Sequence, residues 1–403
     1  MTLKAACGIA TAMRVLVLGG TGLVGSALAH RLLAEGHTVA VFHRGALGRP
    51  CHGPVVGPHP PPLCIHGNRR QLEDFASAFA LFAPEVVVDA IAAAAAPARR
   101  TLRLFGAMAR RVVLVSSMDV YRACGIFHGT EDGAPDLRWL DESAPLRQHA
   151  GLYPASTLQR MRQLCGWLEE DYDKLGMERA AAAWHGGEVV IVRLAPIYGP
   201  GDRQRRLLPL WRPMRDGRRA LLMPRGWAEW RSPRGYVENI AAGLALAATH
   251  PGASGRIYNL ADQGNYSEVE WAQQVAAACA WPGRLVVTAP EHTPPHLRVH
   301  ANTAQPWLAD TARIRRELGF RERVALAPAL AASLAWEQQQ PATDADRGDY
   351  ASEDAALRWL GMSAEVGAFG YRSANRANSK AMMTSTQTLP SGPTAPPVIQ
   401  VEP

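Results

Sequence analysis

Long apolar runs are missing from this 403-residue chain. No window holds the roughly 18 consecutive apolar residues of a membrane-spanning helix, which excludes an α-helical span. Cysteine is sparse. The six residues (Cys7, Cys51, Cys64, Cys124, Cys165, Cys279) are scattered and form no CxxC pair, as expected of small core residues in a reducing, cytoplasmic compartment. Recognisable metal patterns are lacking too. The Pro-rich stretch 51–66 carries Cys51, His52, His59, Cys64 and His66, but at spacings of no familiar zinc site, so no metal is expected. No internal repeat is visible. The first dozen residues are too short and too weakly apolar for an export signal. Met13 stands just before the first apolar run, and residues 1–13 read as an extension.

What is present is an alternation of short apolar runs and helical patterns. Arg14–Leu18 reads as a buried parallel strand ending at Gly19-Gly20, Leu23–Ala34 as a helix stopped by Gly36, and Thr38–Phe42 as a second strand. This is β-α-β within about thirty residues. Further strands are expected at Leu63–His66, Glu85–Ala90, Arg111–Ser116 and Val189–Leu194. Helices are expected over roughly 69–82, Arg99–Arg110 and 157–177, with an irregular stretch at 122–155. The alternation implies an α/β protein with a doubly wound, mostly parallel sheet. Beyond about 200 the pattern loosens, and 374–403, rich in Ser, Thr, Pro and Asn, reads as a disordered tail.

Between the first strand and its helix stands Gly19-Gly20-Thr21-Gly22-Leu23-Val24-Gly25. In that context the first glycine permits the tight turn, Gly22 lets the backbone approach a pyrophosphate, and Gly25 lets helix and strand pack closely. The helix N-terminus adds free N–H groups and positive dipole. Gly19, Thr21, Gly22, Leu23, Val24 and Gly25 are therefore the expected dinucleotide-binding residues. After the second strand comes Arg44, where an acidic residue would select NAD. An arginine can pair with a 2′-phosphate, so NADP is the expected cofactor, with NAD the alternative. The net charge of +7 suits an anionic ligand and is equally compatible with nonspecific nucleic-acid binding.

With these residues the chain resembles the NAD-dependent epimerase/dehydratase branch of the extended short-chain dehydrogenase/reductase superfamily, over about 14–360. Four further segments carry the likeness. Val115–Tyr121 is similar to the strand that delivers the catalytic Ser or Thr, by position Ser117. Lys174 with Glu178 four later matches the family's Lys and following Glu. Arg193–Asp202, through Tyr198-Gly-Pro-Gly-Asp202, is similar to the strand and turn beside the nicotinamide. Arg234–Asn239 looks like the segment whose Arg contacts a substrate phosphate. The resemblance implies a Rossmann-like domain over 14–200 and a smaller, mainly substrate-binding lobe over 201–373. It implies cofactor contacts from Ala90, Ser116, Lys174 and Ile197 and substrate contacts from Arg234 and Tyr121. A homodimer through helices flanking the site is also implied.

One position departs from the pattern. The family's general acid/base is the tyrosine of Tyr-x-x-x-Lys, yet four residues before Lys174 stands Glu170, and the available tyrosine is Tyr172. On a regular helix residues 172 and 174 lie about 200° apart and cannot enter one cleft. If helix begins only near Lys174, Tyr172 lies in a loop and reaches differently. Glu170 either does acid/base work with a raised pKa or simply pairs with Lys174 at i,i+4, the favoured reading.

Smaller signals are weighed beside these. Asn68 is a loose cofactor contact or a helix cap. Trp211, Trp227 and Trp230 line a pocket or pack in the core. The arginines of 203–219 form a solvated face or meet an acidic substrate or RNA. The expected function is an NAD(P)-dependent epimerase, reductase or dehydratase acting on a small-molecule sugar or nucleotide-sugar. The alternative is a non-catalytic dinucleotide-binding protein, RNA-binding like the chloroplast stem-loop-binding relatives.

Overall fold

The computed structural model describes residues 12–45, 61–165, 168, 172–341, 348–362 and 398–400. They fall into two compact units, one built from 1–206, 230–266 and 301–336, the other from 207–229, 267–300 and 337–403.

The first unit is organised by a seven-stranded sheet. Its strands are β1 (Arg14–Leu18), β2 (Thr38–His43), β3 (Leu63–His66), β4 (Val86–Asp89), β5 (Arg111–Ser117), β6 (Glu188–Leu194) and β7 (Ile257–Leu260). They run in the order β7-β6-β5-β4-β1-β2-β3 with every pairing parallel. The chain is thus a Rossmann-like α/β fold, as the alternation implied. The strands are apolar on both faces because both are covered. Val15 and Val17 point into one core with Leu28 and Leu32 of α1 (Leu23–Ala34) and Ile240 and Leu244 of Val237–Thr249. Leu16 and Leu18 point into the other with Phe79 of α2 (Ala76–Phe82), Leu102 and Phe105 of α3 (Ala95–Phe105) and Met177. Strand order reverses between β1 and β4, which opens a crevice at their carboxyl ends.

Three segments differ from expectation. The stretch 69–82 is a 3-10 helix, Arg69–Phe75, followed by α2, because Gln71 leaves helical geometry. Within 122–155, α4 (Arg122–His128) forms and is stopped by Gly129 in the left-handed region, φ 70°. The helix expected over 157–177 is two helices, α5 (Ala155–Cys165) and α6 (Lys174–Ala182). Asp173 is the reason for the late start of α6. Its N–H donates to Ala93 O at 2.7 Å and its carboxylate accepts from Gly176 N at 2.9 Å, so it caps α6 from a non-helical conformation.

The second unit contains the parallel strands Ala220–Pro224, Arg284–Thr288 and Val398–Gln400. Its helices include Leu208–Arg215, Tyr350–Trp359 and Glu268–Ala278, the last opened by a Ser267/Glu270 capping box. The tail expected to be disordered lies outside the described residues except for 398–400, which form a strand. Cys51, His52 and His59 also lie outside them. Cys64 is disulfide-bonded, whereas the scattered cysteines were expected to be small core residues of a reducing compartment. No described helix is long and apolar enough to cross a membrane.

Candidate active site

The glycine loop sits at the carboxyl end of β1. Gly19 turns at φ +85°, and a Cβ there would lie 2.5 Å from Ile91 Cγ2. A Cβ on Gly20 would strike Val41 at 2.4 Å, and one on Gly25 would lie 2.2 Å from Gly19 O. These three glycines are required by the protein's own packing. Gly22 is different: it has ordinary backbone angles (φ −77°, ψ 169°), and its Cβ would meet only Gly19 O at 3.4 Å. Nothing inside the fold asks for glycine there, whereas an approaching ligand would. Gly22 is also the N-cap of α1 and offers no side-chain cap, leaving first-turn N–H groups for an anion. Thr21 is exposed, while Leu23 and Val24 are half-buried in the loop and first turn.

Arg44 is exposed directly after β2. Asn68 takes the capping role, accepting from Arg70 N at 3.1 Å. Its neighbour Arg69 is buried and grips Asp89 at the end of β4 through two bonds of 3.1 and 2.9 Å. Asp89 also accepts from Thr101 at 2.6 Å and from Ile91 N at 3.0 Å, which fixes the Ala90–Ala92 turn against Gly19.

Lys174 is buried at the start of α6. Its ammonium donates to Ala92 O and Val115 O, both at 2.7 Å, tying the turn after β4 to the end of β5. Burial pulls its pKa down to about 8, against the opposing charges of Asp119 and Asp89. Two of its three N–H groups are used by these carbonyls. Tyr172 lies outside the helix, and its hydroxyl donates to Asp119 Oδ2 at 2.6 Å and hydrogen-bonds Ser117. Burial and the charge of Asp119 push the phenol well above its ordinary pKa, while Ser117 pulls the other way. Tyr153 reaches the same carboxylate oxygen at 3.3 Å, with its ring 5.7 Å from that of Tyr172. Ser117 Oγ accepts from Asp119 N at 3.2 Å and is half-buried. Asp119 is 3% exposed, and its Oδ1 has no partner among the described residues.

Two sequence candidates serve the scaffold beneath. Ser116 donates to Glu178 Oε1 at 2.5 Å. Glu178 in turn holds Arg193 bidentately, with a closest distance of 2.7 Å. Tyr121, expected to contact substrate, is fully buried. It donates to Asn259 at 2.7 Å and accepts from Arg193 at 2.9 Å, so its hydroxyl is spent within the fold. Burial raises its pKa to about 12. Ile197 pairs with Gly235 in a short parallel ladder, and its carbonyl accepts from Arg206 at 2.8 Å. Arg234, just before that ladder, is half-buried and donates to Ser232 O at 3.3 Å. Glu170 lies outside the described residues.

Ser117, Tyr172 and Lys174 thus lie around the end of β5, with Tyr172 reaching in from outside the helix, and Asp119 and Tyr153 stand beside them. Asp119 falls within the Val115–Tyr121 run but carries no spacing signal. Tyr153 precedes α5, nineteen positions before Tyr172, and only the interruption before α6 brings the two rings together. The Arg-rich stretch 203–219 is not a uniformly solvated face. Arg206 pairs with Asp202 at 2.8 Å, Arg212 with Asp216 at 3.0 Å, and buried Arg218 with Glu353 at 3.3 Å. Trp211 and Trp230 are buried, and the indole N–H of Trp230 donates to Gln305 O at 2.8 Å.

A family model described as the NAD dependent epimerase/dehydratase family matches residues 15–128 and 171–261, just over half of the chain. The chain is 27% identical over 162 residues to a dTDP-glucose 4,6-dehydratase of Streptomyces niveus, covering 39% of this chain and 44% of that protein. It is 32% identical over 157 residues to one of Streptomyces griseus, covering 38% and 43%. The chain thus spans less than half the length of these curated relatives. Among solved structures it is similar to the dTDP-glucose 4,6-dehydratase of Bacillus anthracis in complex with NAD (TM-score 0.58, 15% identity, 82% of this chain and 97% of that one). It is also similar to the UDP-glucose 4-epimerase of Thermotoga maritima with UDP-glucose (TM-score 0.55, 15% identity, 81% and 99%). At these identities the structural likeness establishes the fold.

Proposed function

Because the chain belongs to the NAD dependent epimerase/dehydratase family, we propose that it is a nicotinamide-dinucleotide-dependent enzyme acting on a sugar or nucleotide-sugar, with Tyr172 and Asp119 handling the proton. The observation that carries this reading is the convergence of Ser117, Tyr172 and Asp119 beside the buried Lys174 ammonium at the end of β5. The glycine loop, with Gly22 unneeded by the fold, and Lys174, with a donor to spare, fit a dinucleotide. That cofactor supplies hydride acceptance and return.

The proton chemistry follows from the chain's own groups. Tyr172 stays protonated at neutral pH and donates to a carboxylate, so it does not act as a free tyrosinate. It acts as a relay. As a substrate hydroxyl gives its proton to the phenol oxygen, the phenol's own proton passes to Asp119 Oδ2, 2.6 Å away. Reversal returns it. Ser117 orients the phenol, and Tyr153 steadies the carboxylate. Tyr172→Phe is expected to lower kcat by about 10²-fold or more while dinucleotide affinity stays within about threefold. Unchanged turnover would remove Tyr172 from the mechanism.

Arg44 supports a preference for NADP, through pairing with a 2′-phosphate. Titration of nicotinamide fluorescence tests both parts of the cofactor reading. Wild type is expected to bind NADPH more tightly than NADH, and Arg44→Ala to lose that difference. Gly22→Val is expected to lose both ligands by about 10²-fold or more, roughly 2.7 kcal/mol, with its melting temperature unchanged. Normal binding by Gly22→Val would show that the loop is not the site. For substrate, isotope exchange at a sugar carbon is the expected readout. Relatives named for dTDP-glucose and UDP-glucose chemistry indicate the compounds to begin with.

A further inference from the structure

The last residues of β2 and β3, His43 and His66, stand opposite each other in the parallel ladder. Their rings meet edge to face, with centroids 4.4 Å apart at 63°. Arg44, the residue read above as the 2′-phosphate anchor, follows directly. Gly45 is fastened to both rings. Its N–H donates to His43 Nδ1 at 2.9 Å, and its carbonyl accepts from His66 Nδ1 at 3.3 Å. A Cβ at Gly45 would lie 2.7 Å from His43 Nδ1, so the imidazole dictates glycine there. The Arg44-Gly45 turn is thus held from two strands.

These bonds assign the tautomers. A carbonyl only accepts, so His66 carries a proton on Nδ1, and an amide N–H only donates, so His43 Nδ1 is bare. His43 is 5% exposed, and its Nε2 has no partner among the described residues. Burial and the neighbouring charge of His66 hold its pKa below the ordinary value, so it stays neutral. His66 is half-buried, and Nε2 is its one remaining place for a proton. Histidine ion pairs among the described residues are those of His149 and His296, so no described carboxylate holds either ring. The cations next in sequence are Arg44 and Arg70, both exposed, while Arg69 is committed to Asp89. Cys64 on β3 is disulfide-bonded and does not titrate. A neutral His66 offers an incoming phosphate a lone pair on Nε2, whereas a protonated one offers a charged donor.

We propose that His66 is a second ligand to the 2′-phosphate of NADP, beside Arg44, and takes up a proton from solvent on Nε2 as the phosphate dianion binds. The proposal rests on the NADP reading of Arg44 given above. The dianion favours the charged imidazole, and the hydroxyl that NAD carries at that position does not. His43, acting through Gly45, is a positioning residue for the pair.

The experiment titrates the full-length protein calorimetrically with NADP+ and NAD+, at about pH 7.5 and in two buffers of different ionisation heat, which reports protons exchanged on binding. Wild type is expected to take up protons with NADP+ and none with NAD+. Its preference for NADP+ is expected to weaken as pH rises from about 7 to about 9, because of the groups at the phosphate the imidazole alone titrates there. His66→Asn keeps a donor for Gly45 O and cannot become a cation. It is expected to lose the proton uptake, the pH dependence and about tenfold of the NADP+ preference, with NAD+ affinity unchanged. An Asn variant that keeps uptake and preference overturns the proposal, as does a wild type that prefers NADP+ without taking up protons. If Arg44→Ala then loses the preference, the NADP reading stands without His66; absence of any preference in wild type removes both.

Discussion

Lys174→Met is expected to abolish turnover, by at least about 10²-fold in kcat/KM, and to destabilise the first unit at the same time. The side chain is nearly isosteric, so volume changes little. What disappears is the donor pair that satisfies Ala92 O and Val115 O, both at 2.7 Å. Each carbonyl left unsatisfied in a buried setting costs about 1–3 kcal/mol. Those two bonds also hold the turn after β4 to the end of β5, so the loop facing Gly19 loosens and dinucleotide affinity falls with it. The pH dependence supplies an independent check. Burial holds the folded pKa at about 8, below the ordinary 10.5. Between those values the unfolded chain binds the extra proton. The contribution of this group to stability is therefore present in full above 10.5, decreases as pH falls through that window, and is lost below 8. Wild type is expected to show this rise in urea unfolding between pH 8 and 10, and Lys174→Met is expected to lack it. Identical pH profiles for the two proteins would show that Lys174 is not the buried, proton-shedding amine described here.

The second large effect lies one layer deeper. Arg193 and Glu178 form a bidentate pair, both nearly inaccessible to water. Burial works against the charge of Arg193, yet the hydrogen bonds and charge of Glu178 hold its pKa above the ordinary value. Arg193→Met leaves a buried carboxylate whose one remaining side-chain partner among the described residues is Ser116, and Tyr121 loses its donor. The expected cost is about 3–5 kcal/mol. For a unit of this size that is a fall in melting temperature of roughly 5–9 °C. Replacing both partners, as Glu178→Leu with Arg193→Met, is expected to recover much of the loss, because no uncompensated charge remains. A double variant as unstable as the sum of the singles would mean that the two residues act independently. Tyr121 belongs to this network through Arg193 and Asn259, which explains why a residue in a catalytic-looking run is fully buried with its hydroxyl paired.

Much of this was legible in the chain itself. Apolar strands with both faces buried, a glycine turn between β1 and α1, and strand–helix alternation are local patterns, and they determine the doubly wound sheet and its glycine loop. The places of Ser117 at the end of a strand and of Lys174 at the start of a helix follow from local patterns of the same kind. What the chain alone left open was the tyrosine. Read as one helix over 157–177, Tyr172 and Lys174 point to opposite sides. Asp173 decides otherwise, because bonding to Ala93 O takes its backbone out of helical geometry and frees Tyr172 to turn toward β5. That bond joins positions eighty residues apart, so no local pattern announces it. The same holds for Asp119 and Tyr153, and for the arginines of 203–219, several of which meet carboxylates. Local sequence determined the elements and the glycine loop, because turn geometry and burial periodicity act over a few residues. Only the tertiary structure decided which side chains share a carboxylate, because that depends on contacts between distant segments.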